Sequence, residues 1–461
     1  MYLQSVFRLG MQTTTAPVSR WSPLIGQIRA LIYGAEFCGR HRRSEKDFTR
    51  QRVLTFPVVM LLVLQKTTKS IQRHLHAFFH QMCAELDSQC VSAGGWSQAR
   101  GKLAHTAFIE LNQAVLLPAF YAPEQLEHRR YWRGHRVLGV DSSLLRLPSH
   151  PEIFQTFGTV EVANHLGETG TRYAPARLSV LYDLLNEVGL DARLEPVCTG
   201  EVALAAAQLM HVLAGDVLLW DRGFTGFVLM ARVMAEGKHF VGRCSQGSFA
   251  AAQELFRTNR ARRNRRVKLT ANPEQRAQFK ELGLPSELVV RFVSVRLPTG
   301  ELEVLVTSLL DERVYPTEEF LEVYHWRWGH ETYYHLLKGR LDLENWSGHT
   351  VEAVKQDVQA AVLVSNLESL LSQEPQQELS AGDAARKYPA QVNRAVSYHA
   401  LKERLLDLLW SERPVPEVLQ EVQRWMQSNP VSVRRDRKAP RRPQSLNRSY
   451  HYQRNVKKMV F

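Results

Sequence analysis

Tyr324-His325-Trp326-Arg327-Trp328-Gly329-His330-Glu331-Thr332-Tyr333-Tyr334-His335-Leu336-Leu337-Lys338 is the stretch on which the fold of this chain turns. It follows Pro316-Thr317, so the spacing predicts a helix with Thr317 as N-cap and Glu318 and Glu319 in its first turn. No proline interrupts it, and its one glycine is Gly329. At about 100° per residue, with Tyr324 as zero, Arg327 falls at about −60°, Glu331 at about −20° and Lys338 at about −40°. A phenol, a guanidinium, a carboxylate and an ammonium therefore share one stripe. At about 1.5 Å of rise per residue the stripe is about 21 Å long, which suits a row of phosphates better than one small substrate. The competing interpretation is a solvated face on which Arg327 and Glu331 form an ordinary i, i+4 pair. Trp326, Trp328, Tyr333, Tyr334, Leu336 and Leu337 weigh against it, because they leave little of the helix for plain solvent contact.

Two aspartates lie upstream. Val137-Leu138-Gly139-Val140-Asp141-Ser142-Ser143 predicts a buried strand that ends in an acid and enters a turn. Asp216-Val217-Leu218-Leu219-Trp220-Asp221-Arg222-Gly223 lies between two helical patterns, 202–213 and 226–236, and so predicts a parallel strand of an α/β unit. Asp221 falls at that strand's carboxyl end, where α/β sheets place ligands, and Asp216 falls at the opposite end as a turn residue or cap. A single strand-end Asp is usually a cap. With Glu331, however, the two make a set of hard oxygen donors suited to Mg²⁺ or Mn²⁺. Two such ions about 3.5–4 Å apart assist phosphoryl transfer.

The chain resembles bacterial insertion-sequence transposases of the Asp-Asp-Glu (DDE) class, in the group marked by Tyr-x2-Arg-x3-Glu-x6-Lys. Tyr324, Arg327, Glu331 and Lys338 match that spacing in full. The first aspartate of the family lies in a strand like Val-Leu-Gly-Val-Asp141, and the second in a context like Asp221-Arg-Gly-Phe224. The resemblance covers about 133–366; Asp47-Phe-Thr-Arg50 and Ser97-Gln-Ala-Arg100-x-Lys102-Leu103 are similar more weakly. It implies an α/β fold with a ribonuclease-H-like core, in which Asp141, Asp221 and Glu331 are catalytic and hold two Mg²⁺ ions, with Mn²⁺ as a substitute. It also implies nicking of element ends, attack by the freed 3′-hydroxyl on target DNA, and phosphate contacts from Tyr324, Arg327 and Lys338. The implied partners are double-stranded DNA, as terminal inverted repeats and as target, and a second copy of the chain in the synaptic complex.

Composition agrees with a polyanionic partner. The 461 residues carry a formal net charge of +13, and 44% are hydrophobic, ordinary for a globular protein with a substantial core. Cys38, Cys83, Cys90, Cys198 and Cys244 are scattered without zinc-ligand spacing, so reduced, mostly core thiols in a cytosol are expected, and the resemblance implies a bacterial cytoplasm and association with the nucleoid. The amino-terminal residues show no signal-peptide pattern, and the apolar run 53–64 contains Pro57 and is too short to span a bilayer. No membrane association is expected. Nor is ATP use, because no G-x-x-x-x-G-K loop is present.

Residues 1–130 are expected to be helical and, with the basic residues of 40–52, to bind DNA. The catalytic domain is expected over 131–371. Within it, 177–196 predicts a hairpin turning at Asn186-Glu-Val-Gly189. A β-rich insertion is expected at about 244–311, with strands at 288–297 and 301–309 joined by Pro298-Thr-Gly300. Its run Arg257, Arg260, Arg262, Arg263, Arg265, Arg266 and Lys268 contains no acid and is assigned to DNA binding. The polar segment 372–382 is expected as a linker, 383–430 as a helical carboxy-terminal module, and 431–461 as a basic tail. Two other functions remain open: a metal-dependent nuclease or resolvase on the same core, and a catalytically inactive DNA-binding relative.

Overall fold

The structure is a computed structural model and describes residues 19–50, 53–66, 70–82, 91–161 and 172–434. Cys83, Cys90, residues 51 and 52 of the basic cluster, and all but the first four residues of the expected tail lie outside the described residues. Among the described residues Cys38, Cys198 and Cys244 are free thiols, and only Cys244 is in the core: Cys38 is half-buried and Cys198 is exposed.

Short apolar runs bounded by turn residues give strands β1 (Val137–Leu147), β2 (Val160–Glu161), β3 (Arg172–Asp183), β4 (Val188–Pro196), β5 (Val217–Trp220), β6 (His239–Arg243), β7 (Arg263–Thr270), β8 (Glu287–Arg296) and β9 (Leu302–Thr307). They join in one sheet of order β2-β3-β1-β5-β6-β9-β8-β7, with β4 paired to β3. The pairings β1–β3 and β3–β4 are antiparallel, whereas β1–β5 and β5–β6 are parallel. Helices Glu201–Gln208 and Phe227–Ala235 make the crossovers that parallel pairing requires.

The alternation of side chains along the strands sorts the core into two faces. Val137, Leu219, Val241 and Leu305 belong to a large cluster with Leu337 and Val354, from helices Trp328–Gly339 and Val351–Leu371. Leu138, Leu218, Trp220, Phe240 and Val306 pack on the other face against Ala205, Leu229, Met230 and Leu255. Helices therefore cover both sides of a mixed sheet, an α/β architecture.

Several expectations change. Asp141 does not end its strand: β1 continues to Leu147 because its antiparallel partner β3 extends alongside, and only the parallel pairing to β5 stops, at Gly139↔Leu219. The long helix after Thr317 is broken. A 3₁₀ turn, Thr317–Glu319, precedes helix Phe320–His325, and helix Trp328–Gly339 begins after a turn. There the amides of Arg327 and His330 bond three residues back, to Tyr324 at 3.2 Å and to Arg327 at 3.0 Å, which tightens the coil. Thr317 is not the N-cap, since Pro316 holds that position; the buried Thr317 hydroxyl accepts from Arg291 at 2.7 Å instead.

The segment expected as a linker contains helix Gln373–Ala381, because its polar side chains find protein partners: Glu374 accepts from the Ser19 hydroxyl at 2.8 Å and the Arg20 amide at 3.0 Å. The hairpin over 177–196 forms, with its turn at 184–187. The hairpin across Pro298-Thr-Gly300 forms as β8–β9, with Gly300 at φ 90°. Strand β9 also pairs with β6, so the strands of 244–311 extend the central sheet. Strand β7, hidden in the cationic run, forms its far edge.

Arg100 explains how the amino-terminal helices attach. It is buried and donates to Asp357 at 2.8 Å, to Gln356 at 2.6 Å and to the Ala353 carbonyl at 2.7 Å, all on helix Val351–Leu371. Lys66 adds a second cation 3.5 Å from Asp357.

Candidate active site

Register places the acids. The parallel pairing of β1 with β5 ends at Gly139↔Leu219; Asp141 lies two residues on along β1, and Asp221 follows Trp220, the last residue of β5, so both acids stand at the end of that ladder. Both share the face of Val137 and Leu219, the face covered by helix Trp328–Gly339. That helix lies along β1. His330 packs on Gly139, where an added Cβ would stand 2.7 Å from its Nδ1. Tyr334 donates its hydroxyl to the Asp141 carbonyl at 2.8 Å and accepts the Val180 amide at 3.0 Å. Lys338 Nζ donates to the Leu144 carbonyl at 2.6 Å. Glu331 thus stands at the helix's first turn, beside the two strand acids.

Arg327 is the hub. Its guanidinium lies 3.1 Å from Glu331 and 4.0 Å from Asp141, and the charges of Asp221 and Glu331 both act on it. It also stacks near the rings of Trp328, at 5.0 Å, and Tyr324, at 5.6 Å. Arg327 and Tyr324 are buried, and among the described residues Arg327 Nε and the Tyr324 hydroxyl have no hydrogen-bond partner. Burial pushes the Tyr324 phenol well above its usual range, so it is a neutral donor. Burial likewise pushes the Asp141 carboxyl up to about 6; the Ser142 amide and Arg327 oppose the rise, and Glu201 and Glu331 add to it.

The stripe inferred from the helical wheel is brought together only in part. Tyr324 and Arg327 point inward, Glu331 is exposed, and Lys338 lies farther along β1. Of the cationic run, Arg265 pairs with Glu254, Lys268 with Glu287 at 2.7 Å, and Arg266 donates to the Leu310 carbonyl at 2.7 Å, while Arg262 and Arg263 are exposed. Strand β7 lies four strands from β5, or about 19 Å at about 4.8 Å per strand. This patch is therefore separate from the acids. Asp216 forms a buried pair with Arg136 at the other end of β5. His330 is fully buried and stacked on Tyr334, and burial lowers its imidazole to about 3, so it is neutral.

Two acids at this site escaped the sequence reading. Glu201 accepts from Ser142 and Arg177 on the opposite face of β1. Glu303, on β9, holds Arg243 at 3.0 Å, and Arg243 lies 3.7 Å from Asp221. Neither sits in a motif: Glu201 opens helix Glu201–Gln208 and is revealed by its hydrogen bonds, and Glu303 by strand register.

Among the described residues no three His, Cys, Asp or Glu side chains converge on one point; the Arg327 guanidinium stands among the acids instead. The donor types nonetheless fit a hard divalent cation: carboxylate oxygens on one face, one of them with its proton affinity raised by burial and neighbouring acids. Asp141, Asp221 and Glu331 are the groups that would hold it.

The sequence profile of the Transposase DDE domain matches residues 132–367. The transposase InsG for insertion sequence element IS4 of Escherichia coli (strain K12) is 23% identical over 318 residues, 68% of this chain and 68% of that protein. A cryo-EM structure of the piggyBac transposase synaptic complex with hairpin DNA aligns at a TM-score of 0.42 and 9% identity, covering 86% of this chain and 85% of that one. With half of its length matched by the profile, and with its acids gathered on one face of the matched sheet, the chain belongs to the DDE transposase family.

Proposed function

We propose that this protein is a DNA transposase that cleaves at the ends of an insertion sequence and joins them to target DNA, on a ribonuclease-H-like core. The single observation that carries this is the juxtaposition of Asp141, Asp221 and Glu331 around Arg327, within a chain of the DDE family. Three antiparallel strands followed by two parallel ones, β4-β3-β1-β5-β6, support the ribonuclease-H-like assignment.

Asp141, Asp221 and Glu331 are the catalytic and metal-binding carboxylates. Divalent ions held there would supply activation of the attacking oxygen and charge stabilisation of the leaving one. Tyr324 and Arg327 offer unused buried donors to a phosphate that enters the site. As that phosphate draws Arg327 away from the acids, their charge is freed for cations. Lys338, about 10 Å farther along the helix from Glu331, reaches a neighbouring phosphate. Helix Trp328–Gly339 orients Glu331 through Tyr334 and His330, which lock it on β1.

DNA partners follow from the same assignment: element ends on the helical amino-terminal region (1–130) and on Arg262, Arg263, Arg265 and Arg266, and target DNA across the acids. Two copies of the chain would pair the ends. The catalytic domain spans 131–371 with its insertion at about 244–311, and 383–430 forms the carboxy-terminal module. A bacterial cytoplasmic, nucleoid-associated location fits; among the described residues no helix is long and apolar enough to cross a membrane.

The test is a strand-transfer assay with labelled donor ends, Mg²⁺ and supercoiled target. Joined products are expected. Cleaved ends without joining would instead identify a nuclease, and bound but uncut ends an inactive relative.

A further inference from the structure

Strand register continues the row of charged residues past the two aspartates. Trp220 pairs with Gly242, so Asp221 stands level with Arg243 at the end of β6. Arg243 in turn pairs with Leu305 on β9, and Glu303, two residues from Leu305, points to the same face. The Arg243 guanidinium is shared: Nη2 lies 3.0 Å from Glu303 Oε1, and Nη1 lies 3.7 Å from Asp221 Oδ1. The Glu303 side chain is 7% exposed, against 32% for Arg243 and 38% for Asp221, so Glu303 is the buried anchor and the other two face the opening. Glu303 Oε2 is buried and has no hydrogen-bond partner among the described residues. An unused carboxylate oxygen next to a guanidinium is an acceptor held in reserve, because the guanidinium fork can take both oxygens of one carboxylate.

We propose that Arg243 and Glu303 are positioning residues that set the cation affinity of Asp221, with Glu303 receiving the Arg243 guanidinium when Asp221 takes up a divalent cation. Without a cation, Arg243 partly neutralises Asp221. When the lone pairs of Asp221 turn to a cation, Arg243 closes on both oxygens of Glu303. Its charge stays paired, and the otherwise unsatisfied Oε2 gains a donor. Because Glu303 belongs to the β8–β9 hairpin, the strands of 244–311 are tied directly to a catalytic acid. This inference rests on Asp221 being a cation-binding carboxylate, and the experiment separates the two.

Mn²⁺ binding to the full-length protein without DNA is measured by electron paramagnetic resonance for wild type, Asp221→Asn, Glu303→Gln, Arg243→Gln and the Arg243→Gln/Glu303→Gln double variant. Glu303→Gln leaves Arg243 on Asp221 and is expected to raise the half-saturating Mn²⁺ concentration about tenfold, the lower end of what losing a partner behind a metal ligand costs. Arg243→Gln removes the competitor and is expected to lower that concentration. In the double variant Glu303→Gln is expected to matter less than about threefold, because its route through Arg243 is gone. Opposite shifts with this coupling support the proposal, and damage to the fold would weaken binding in both single variants. Shifts of the same sign, no shift, or additive effects in the double variant overturn it. If Glu303→Gln fails to fold, Arg243→Gln decides alone, with tighter binding expected and unchanged or weaker binding overturning the proposal. If Asp221→Asn binds Mn²⁺ like wild type, the assignment of Asp221 falls and this inference falls with it. If Asp221→Asn loses binding while the other variants behave like wild type, only this inference falls.

Discussion

Asp141 shows what a buried carboxylate costs its own protein. Burial raises its carboxyl to about 6, above the ordinary carboxylate range near about 4. Between those values the folded chain keeps a proton that the unfolded chain has lost, so stability falls as pH rises through that window. Asp141→Asn carries no such charge. In EDTA at pH 8 it should be more stable than wild type by about 2 kcal/mol, with the gap closing towards pH 4. Thermal melts at the two pH values check this, and an equal gap at both would show that burial does not control the group. The positions of Asp141, Asp221, Glu331, Tyr324, Arg327 and Lys338 were legible because each sits in a local pattern: an acid on an apolar strand, or a fixed helical spacing. Glu201 and Glu303 were not, because a helix and a strand distant in sequence bring them there through tertiary contacts, which no local pattern records.

At the scale of elements, helix Trp328–Gly339 and strand β7 illustrate opposite limits. The helix was legible from its periodicity, but its break at Trp326–Arg327 was not. That break turns Tyr324 and Arg327 inward, against the acids and their aromatic neighbours, and those contacts are tertiary. The strand was hidden by its own composition: seven cations in twelve residues show no apolar alternation and point only to a DNA-binding run, yet pairing with β8 orders Arg263–Thr270 at the sheet edge. If that edge meets DNA phosphates, Arg262→Ala/Arg263→Ala should make the slope of log affinity against log salt shallower by about 2, with element ends and random duplex affected alike. Filter-binding or anisotropy titrations over a salt series measure the slope, and an unchanged slope would remove β7 from the DNA interface. Arg100 makes a stability prediction on helix Val351–Leu371. Arg100→Ala leaves Asp357 buried with Lys66 as its remaining cation and should cost about 3–5 kcal/mol in denaturant unfolding. A loss below about 1 kcal/mol would mean that the helical layer is held by apolar packing alone.

Across the whole molecule, one apolar cluster runs from Trp21 through the strands of the sheet to Met426. The α/β class and most of the strands could be read from short apolar runs and turn residues. The union of the helical regions with the core could not, because it depends on which apolar faces meet. A fragment of residues 131–371 should therefore expose the surface that Arg100, Lys66 and their neighbours cover. It should give poorly dispersed amide spectra, whereas residues 19–434 should give a cooperative unfolding transition. A well-dispersed, cooperatively folding core fragment would contradict this.

The central claim is that Glu331 completes a carboxylate set that cuts DNA. It is tested most directly by cleavage of linear DNA bearing the element's own ends in Mg²⁺, comparing wild type with Glu331→Gln, which keeps the side chain's size and hydrogen bonding but not its charge. The account predicts that wild type cuts, and that the variant binds the ends with similar affinity and does not cut. Equal cutting by both proteins, or by neither, would contradict it.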